Sequence, residues 1–433
     1  MLKNLLFNPV TTIFFLVMLL MLSALRGLSL IYYIVVILCF LILFIRAFSS
    51  NPFPSGFIAS VFYIFFVYTI WLVGWSAIYM QSFGFLPGVP RIFLVLTFTL
   101  ILFLYVRTEK HFKAVLLIIF FCYVLAAMSV IYQIIFGEIS WFTDQVSRAK
   151  LNRYSSILGS LTIFGSVVGY GLIMVYSSLL GENKILLKVF LFFILISGAF
   201  YCLSKAAVTM VALSVPVYLL FDFRSIIQRS NLKTIIILTS ILAIVFILLM
   251  QIESYTQYYN AIVTQTIGDK SIFSSGVGVQ IDSPSVSTEI ILKRLFYWTS
   301  SMLTEYGNIV YFSGVGLQGG AGTLGVLKPD GSHFISSHNG LGDLFFIGGL
   351  PYIFLFLLLY FYTQLILYRN RSNGFCRLFF MLNILFFANL LVVSGSSFHP
   401  AISMIFWTSV VYANIKNNFS NAKYYHNNFP SLK

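Results

Sequence analysis

Two polar segments in an otherwise apolar chain carry the side chains able to do chemistry. In the first, Ser287 to Tyr306, residues Ile291, Leu295, Trp298 and Met302 recur at helical spacing on one face, with Lys293 and Arg294 on the flanks. Arg294 falls one turn before Trp298, and a guanidinium fork of this kind grips a phosphate bidentately. The alternative is an interfacial helix whose arginine snorkels to the headgroups. The second segment, His333-Phe-Ile-Ser-Ser-His338-Asn339-Gly-Leu-Gly-Asp343, leads into a long apolar run. A histidine at the first turn of a helix feels the positive end of the helix dipole, which disfavours imidazolium. Neutral His338 is therefore a candidate general base toward a hydroxyl bound at that helix end. The alternative reading is an ordinary capping or loop histidine. Asp343 lies off the His338 face and is not paired with it as a dyad.

Further bases fall beside these segments. Arg148 and Arg153 precede an apolar run, and Lys205 sits in a hairpin too short to leave a membrane interface. Cations at such positions are costly unless they face a cavity or an anion, and several converging on one mouth would suit a pyrophosphate. Between the two segments runs Ser313-Gly-Val-Gly-Leu-Gln-Gly-Gly-Ala-Gly. It has no Lys-Ser/Thr to make a P-loop and no strand context for a dinucleotide, so Gly314 and Gly316 signal a sharp turn or a close approach. His333, His338 and His399 lack the ligand spacing of a zinc site. Cys39, Cys122, Cys202 and Cys376 lie in or next to apolar spans as small hydrophobes. No metal or cofactor is expected.

The elements that must position these residues are membrane helices. Of 433 residues 59% are hydrophobic and 9% charged, a composition that a soluble fold could not solvate. Apolar runs of about 20 residues recur throughout, and without barrel-like alternation they read as helices. The reading is all-α, a polytopic membrane protein of about twelve helices with a large extracytoplasmic loop. The expected spans are 6-24, 27-47, 56-80, 91-107, 112-136, 156-180, 185-203, 206-222, 233-251, 343-367, 375-394 and 398-415. Helices one to nine thus occupy 1-251, the loop domain with its amphipathic helix 252-342, helices ten to twelve 343-415 and a cytoplasmic tail 416-433. With both termini inside, 16 of the 26 Lys and Arg residues and only Glu109, Glu182 and Asp222 among the acids fall on the inner side. The formal charge of +14 is then a topology signal, and nucleic-acid binding is excluded as its cause.

The order of these residues resembles the O-antigen ligase and polymerase superfamily, bacterial membrane glycosyltransferases of the GT-C type. The resemblance runs from about Arg148 to Leu358. It comprises Arg153 before Tyr-Ser-Ser-Ile-Leu-Gly, the Leu-Ser-Lys-Ala-Ala corner at Ser204 and Lys205, and Arg294 with Trp298. Gly314 and Gly316, then Ser-His-Asn at His338 and Asn339 followed by Gly348-Gly349, complete it. It implies a glycan donor on undecaprenyl pyrophosphate, an acceptor hydroxyl activated by His338, and metal-free chemistry on the periplasmic face of the inner membrane. Arg294 and Arg153 would hold the departing pyrophosphate, with Lys205 and Arg148 adding charge. Lys205 stands where many relatives have arginine, which removes a bidentate grip. The acidic residue often found in the helix after His-Asn is replaced by apolar residues around Ile347. The resemblance implies a polymerase, with a chain-length regulator and a flippase as partners. The alternatives are a ligase that transfers glycan to the lipid A core and, in another class, a flippase for lipid-linked oligosaccharide.

Overall fold

The computed structural model describes isolated positions between 13 and 45, then residues 54–80, 89–139, 154–181, 184–202, 204–228, 307–308, 310–314, 316, 325–327, 334–336, 339–393 and 396–428. Its helices are α1 (Phe57–Met80), α2 (Val89–Tyr105), α3 (Glu109–Phe136), α4 (Leu161–Tyr176), α5 (Ile185–Cys202), α6 (Lys205–Gln228), the one-turn α7 (Val310–Ser313), α8 (Gly340–Arg369), α9 (Gly374–Val392) and α10 (Pro400–Asn428). An antiparallel pair, β1 (Gly325–Leu327) with β2 (Phe334–Ser336) and Val326 opposite Ile335, adds a small sheet to the all-helical expectation. Among the described residues, five helices are long and apolar enough to cross a membrane: Phe57–Ser76, Glu109–Phe136, Ile185–Cys202, Gly340–Arg369 and Gly374–Leu391. Ile92–Tyr105, Leu161–Tyr176 and Ala206–Phe221 are shorter apolar helices. This build is compatible with a membrane protein. The expected spans 6-24 and 27-47 (isolated positions aside), 233-251 and the amphipathic stretch 287-306 lie outside the described residues.

Side-chain caps set the helix ends. Asn373 opens α9 by accepting at Oδ1 from the N–H groups of Phe375 (2.8 Å) and Cys376 (3.2 Å). Its Nδ2 donates to Glu109 Oε1 at 3.0 Å, which also accepts from Tyr412 Oη at 3.0 Å and Lys416 Nζ at 2.6 Å. One carboxylate thereby gathers α3, α9 and α10 at one end of the bundle. The start of α1 lies at the same end. Asn414 of α10 caps it from outside, its Oδ1 accepting from the N–H of Ala59 at 3.3 Å, while Asn418 Nδ2 donates to the Ser55 carbonyl at 2.8 Å. Arg107, Lys110, Lys113, Arg369, Arg371 and Arg377 flank this end, so the basic clustering read from the sequence reappears as a spatial one.

Within the bundle, small residues let backbones touch. A Cβ on Gly165 of α4 would lie 2.7 Å from the Ala207 nitrogen of α6, and one on Gly169 would lie 2.7 Å from the Met210 carbonyl oxygen. Buried amides and hydroxyls add cross-links in a setting where water is scarce: Asn383 Nδ2 to Ser409 Oγ at 2.8 Å and Tyr123 Oη to the Ala401 carbonyl at 2.8 Å. Trp407 fills the centre among Phe62, Phe65, Phe356, Phe398 and Phe406.

Candidate functional site

The opposite end of the bundle holds the described part of the site. α8 begins at Gly340, three residues before the expected 343, because Asn339 caps it. The Asn339 backbone is extended, and its Oδ1 accepts from the N–H groups of Leu341 (2.9 Å) and Gly342 (3.0 Å). Its Nδ2 donates to the Leu391 carbonyl in the last turn of α9 at 3.0 Å, so one buried side chain starts α8 and straps it to α9. Gly340 leaves room there for Ser396, whose Oγ would lie 2.5 Å from a Cβ at that position. Ser397 Oγ donates to the Gly340 carbonyl at 3.1 Å. Asp343 is fully buried in the first turn of α8, and His399 is buried just before α10.

A contact path joins this corner to the Ser204-Lys205 corner. Ser204 packs where a Cβ on Gly165 would be, 2.9 Å from its Oγ. The next residue, Ser166, accepts from Asn389 Nδ2 through its carbonyl at 3.2 Å, and the same amide donates to Tyr170 Oη at 2.8 Å. Asn389 lies two residues before Leu391, which holds Asn339. Lys205 itself is the first residue of α6. His338, Arg294, Arg153, Arg148 and Trp298 lie outside the described residues, as does His333. Among the described residues no group of three or more His, Cys, Asp or Glu is arranged to hold a metal ion.

Gly314 and Gly316 dock on a break in α8. Pro351 has no N–H to offer the Ile347 carbonyl four residues back, and in an unbroken helix its ring would crowd that oxygen. Gly349 takes φ 69°, ψ −164°, outside helical space. The orphaned Ile347 carbonyl accepts instead from the N–H of Gly316 at 3.1 Å, and the Gly348 carbonyl accepts from Tyr68 Oη at 3.0 Å. The two segments touch backbone to backbone. A Cβ on Gly314 (φ 59°) would lie 2.5 Å from the Phe346 oxygen, and one on Gly349 would lie 2.6 Å from the Tyr311 oxygen. A Cβ on Gly316 (φ 85°) would collide with Ser76 Oγ of α1. Trp75 Nε1 donates to the Gly314 carbonyl at 3.4 Å. The glycine turn and the Gly348-Gly349 pair, separate motifs in the sequence, are thus one structural joint.

Sequence reasoning passed over Asn389, Ser397 and Tyr68. Asn389 carried a signal, being an amide inside the apolar run of α9, where such groups serve as interhelical links. Tyr68 carried none, because its partners are backbone carbonyls distant in the chain. Compared with known protein families and with curated proteins, the chain matches none.

Proposed function

We propose that this chain is an O-antigen polymerase of the bacterial inner membrane, with about twelve spans, both termini cytoplasmic and its long loop periplasmic. It joins repeat units carried on undecaprenyl pyrophosphate. His338 takes the proton of the acceptor hydroxyl as that oxygen attacks the anomeric carbon of the donor, and undecaprenyl pyrophosphate departs with the bonding electrons. Arg294, Arg153, Lys205 and Arg148 neutralise the leaving charge. The observation that carries the reading is the ordered set of residues from Arg148 to Leu358 that resembles the ligase and polymerase superfamily. It is supported by the joining of two parts of that set, Gly314 to Gly316 and Gly348-Gly349. It is supported also by Asn339 of that set, whose side chain caps the start of α8.

Deletion of the gene, followed by gel analysis of lipopolysaccharide, tests the reading. A single repeat on the core is the expected result. A core without repeats but with intact lipid-linked polymer would identify a ligase, and lipid-linked units trapped on the cytoplasmic side would identify a flippase. In the complemented strain His338→Ala should abolish polymer while the protein remains in the membrane, and retained long chains would remove His338 as the base.

A further inference from the structure

One hydroxyl reaches both sides of the joint between the α7 turn and α8. Tyr68 Oη lies 3.0 Å from the Gly348 carbonyl on α8 and 3.1 Å from the Phe312 carbonyl at the end of α7. A phenol has one proton to donate, so the two carbonyls share it, and Tyr68 links segments that also meet through backbone packing, the Gly316 to Ile347 bond and the Tyr311–Phe345 ring pair. Its ring is seated by Trp71 at 5.3 Å and Tyr352 at 5.8 Å, and therefore keeps its place without the hydroxyl. The break divides α8 into Gly340 to Gly348, headed by Asn339, and a second part running from Pro351 to Arg369. With non-helical dihedrals at Gly349 and no N–H on Pro351, the first part is held at its base by contacts from α1 and the α7 turn rather than by a continuous ladder.

We propose that Tyr68 is a positioning residue of the transfer reaction: its hydroxyl clasps the α7 turn to the break in α8 and so steadies the short helix capped by Asn339, the residue that follows His338 in the sequence. The inference rests on the reading of His338 as the general base. Opening the clasp leaves the carbonyl of the buried Gly348 without its tyrosine donor, which makes the closed arrangement the favoured one. The donor-binding arginines lie on other segments, so the clasp acts on turnover and not on donor affinity.

The test compares full-length wild type, Tyr68→Phe and His338→Ala in nanodiscs, with the native lipid-linked repeat unit as substrate. In Tyr68→Phe, amide hydrogen exchange should rise about tenfold in 310–316 and 340–349 and stay unchanged in 353–369, the effect of losing one hydrogen bond from a local closing equilibrium. kcat should fall by about the same factor, with KM for the donor unchanged. Unaltered exchange in 340–349 would overturn the clasp. Raised exchange with unaltered kcat, or a change confined to KM, would overturn its positioning role. Activity retained by His338→Ala would instead sink the proposed chemistry, and the exchange measurement would still decide whether the clasp exists.

Discussion

Replacing Gly314 by alanine separates two costs that usually come together. At φ 59° any L side chain is strained by roughly 1–2 kcal/mol. The new Cβ would also meet the Phe346 oxygen at 2.5 Å and the Gly348 nitrogen and Ile347 carbon at 2.6 Å, all backbone atoms of a packed helix. Relief requires the turn or α8 to move, which by the usual cost of overpacking adds about 1–3 kcal/mol. Gly307 has φ 74°, nearer to that of Gly314, and nothing within 4 Å of the same Cβ position, so Gly307→Ala bears the first cost alone. Both variants can be purified in detergent and their apparent Tm read by fluorescence-detected gel filtration after a heating series. Gly314→Ala should melt a few degrees below Gly307→Ala, and the difference reports the crowding. Equal melting would refute the docking of the turn on the break.

Asn339→Ser keeps a capping oxygen but cannot reach the Leu391 carbonyl, whereas Asn339→Ala loses both contacts; thermal stability should fall in the order Asn, Ser, Ala, by about 1 kcal/mol or more per step. Serine no better than alanine would remove the cap from the account. Glu109→Gln should cost less than about 1 kcal/mol, because the pair with Lys416 is solvent-accessible. That deficit should shrink in about 1 M salt, where exposed charges are screened within a few ångströms, and a deficit independent of salt would mean that the hydrogen bonds to Asn373 and Tyr412 carry it.

Helices made by apolar length were legible. The expected 56-80, 112-136, 185-203 and 375-394 correspond to Phe57–Met80, Glu109–Phe136, Ile185–Cys202 and Gly374–Val392. Hydropathy erred where polar chemistry sets the boundary. α4 starts at Leu161 and not at 156, because residues 156–159 close a tight turn with Ser156 paired to Gly159. α10 continues to Asn428 through a stretch that composition reads as tail, since a helix once begun tolerates polar residues that no membrane requires. Of the candidate site, Gly314 and Gly316 were singled out by residue type and Asn339 by the resemblance. Their partners, Leu391, Ile347 and Ser76, were invisible because each is a distant backbone group or a small side chain made important by proximity.

The cap on α1 has a consequence for how the chain is built. Ala59 near the amino end of α1 waits for Asn414, 355 residues later. At about 5–20 residues per second of synthesis, that interval is on the order of half a minute. An early helix whose lock is the last helix must be stored in a provisional place, and a ribosome that stops short of α10 leaves the assembly open at its first described helix.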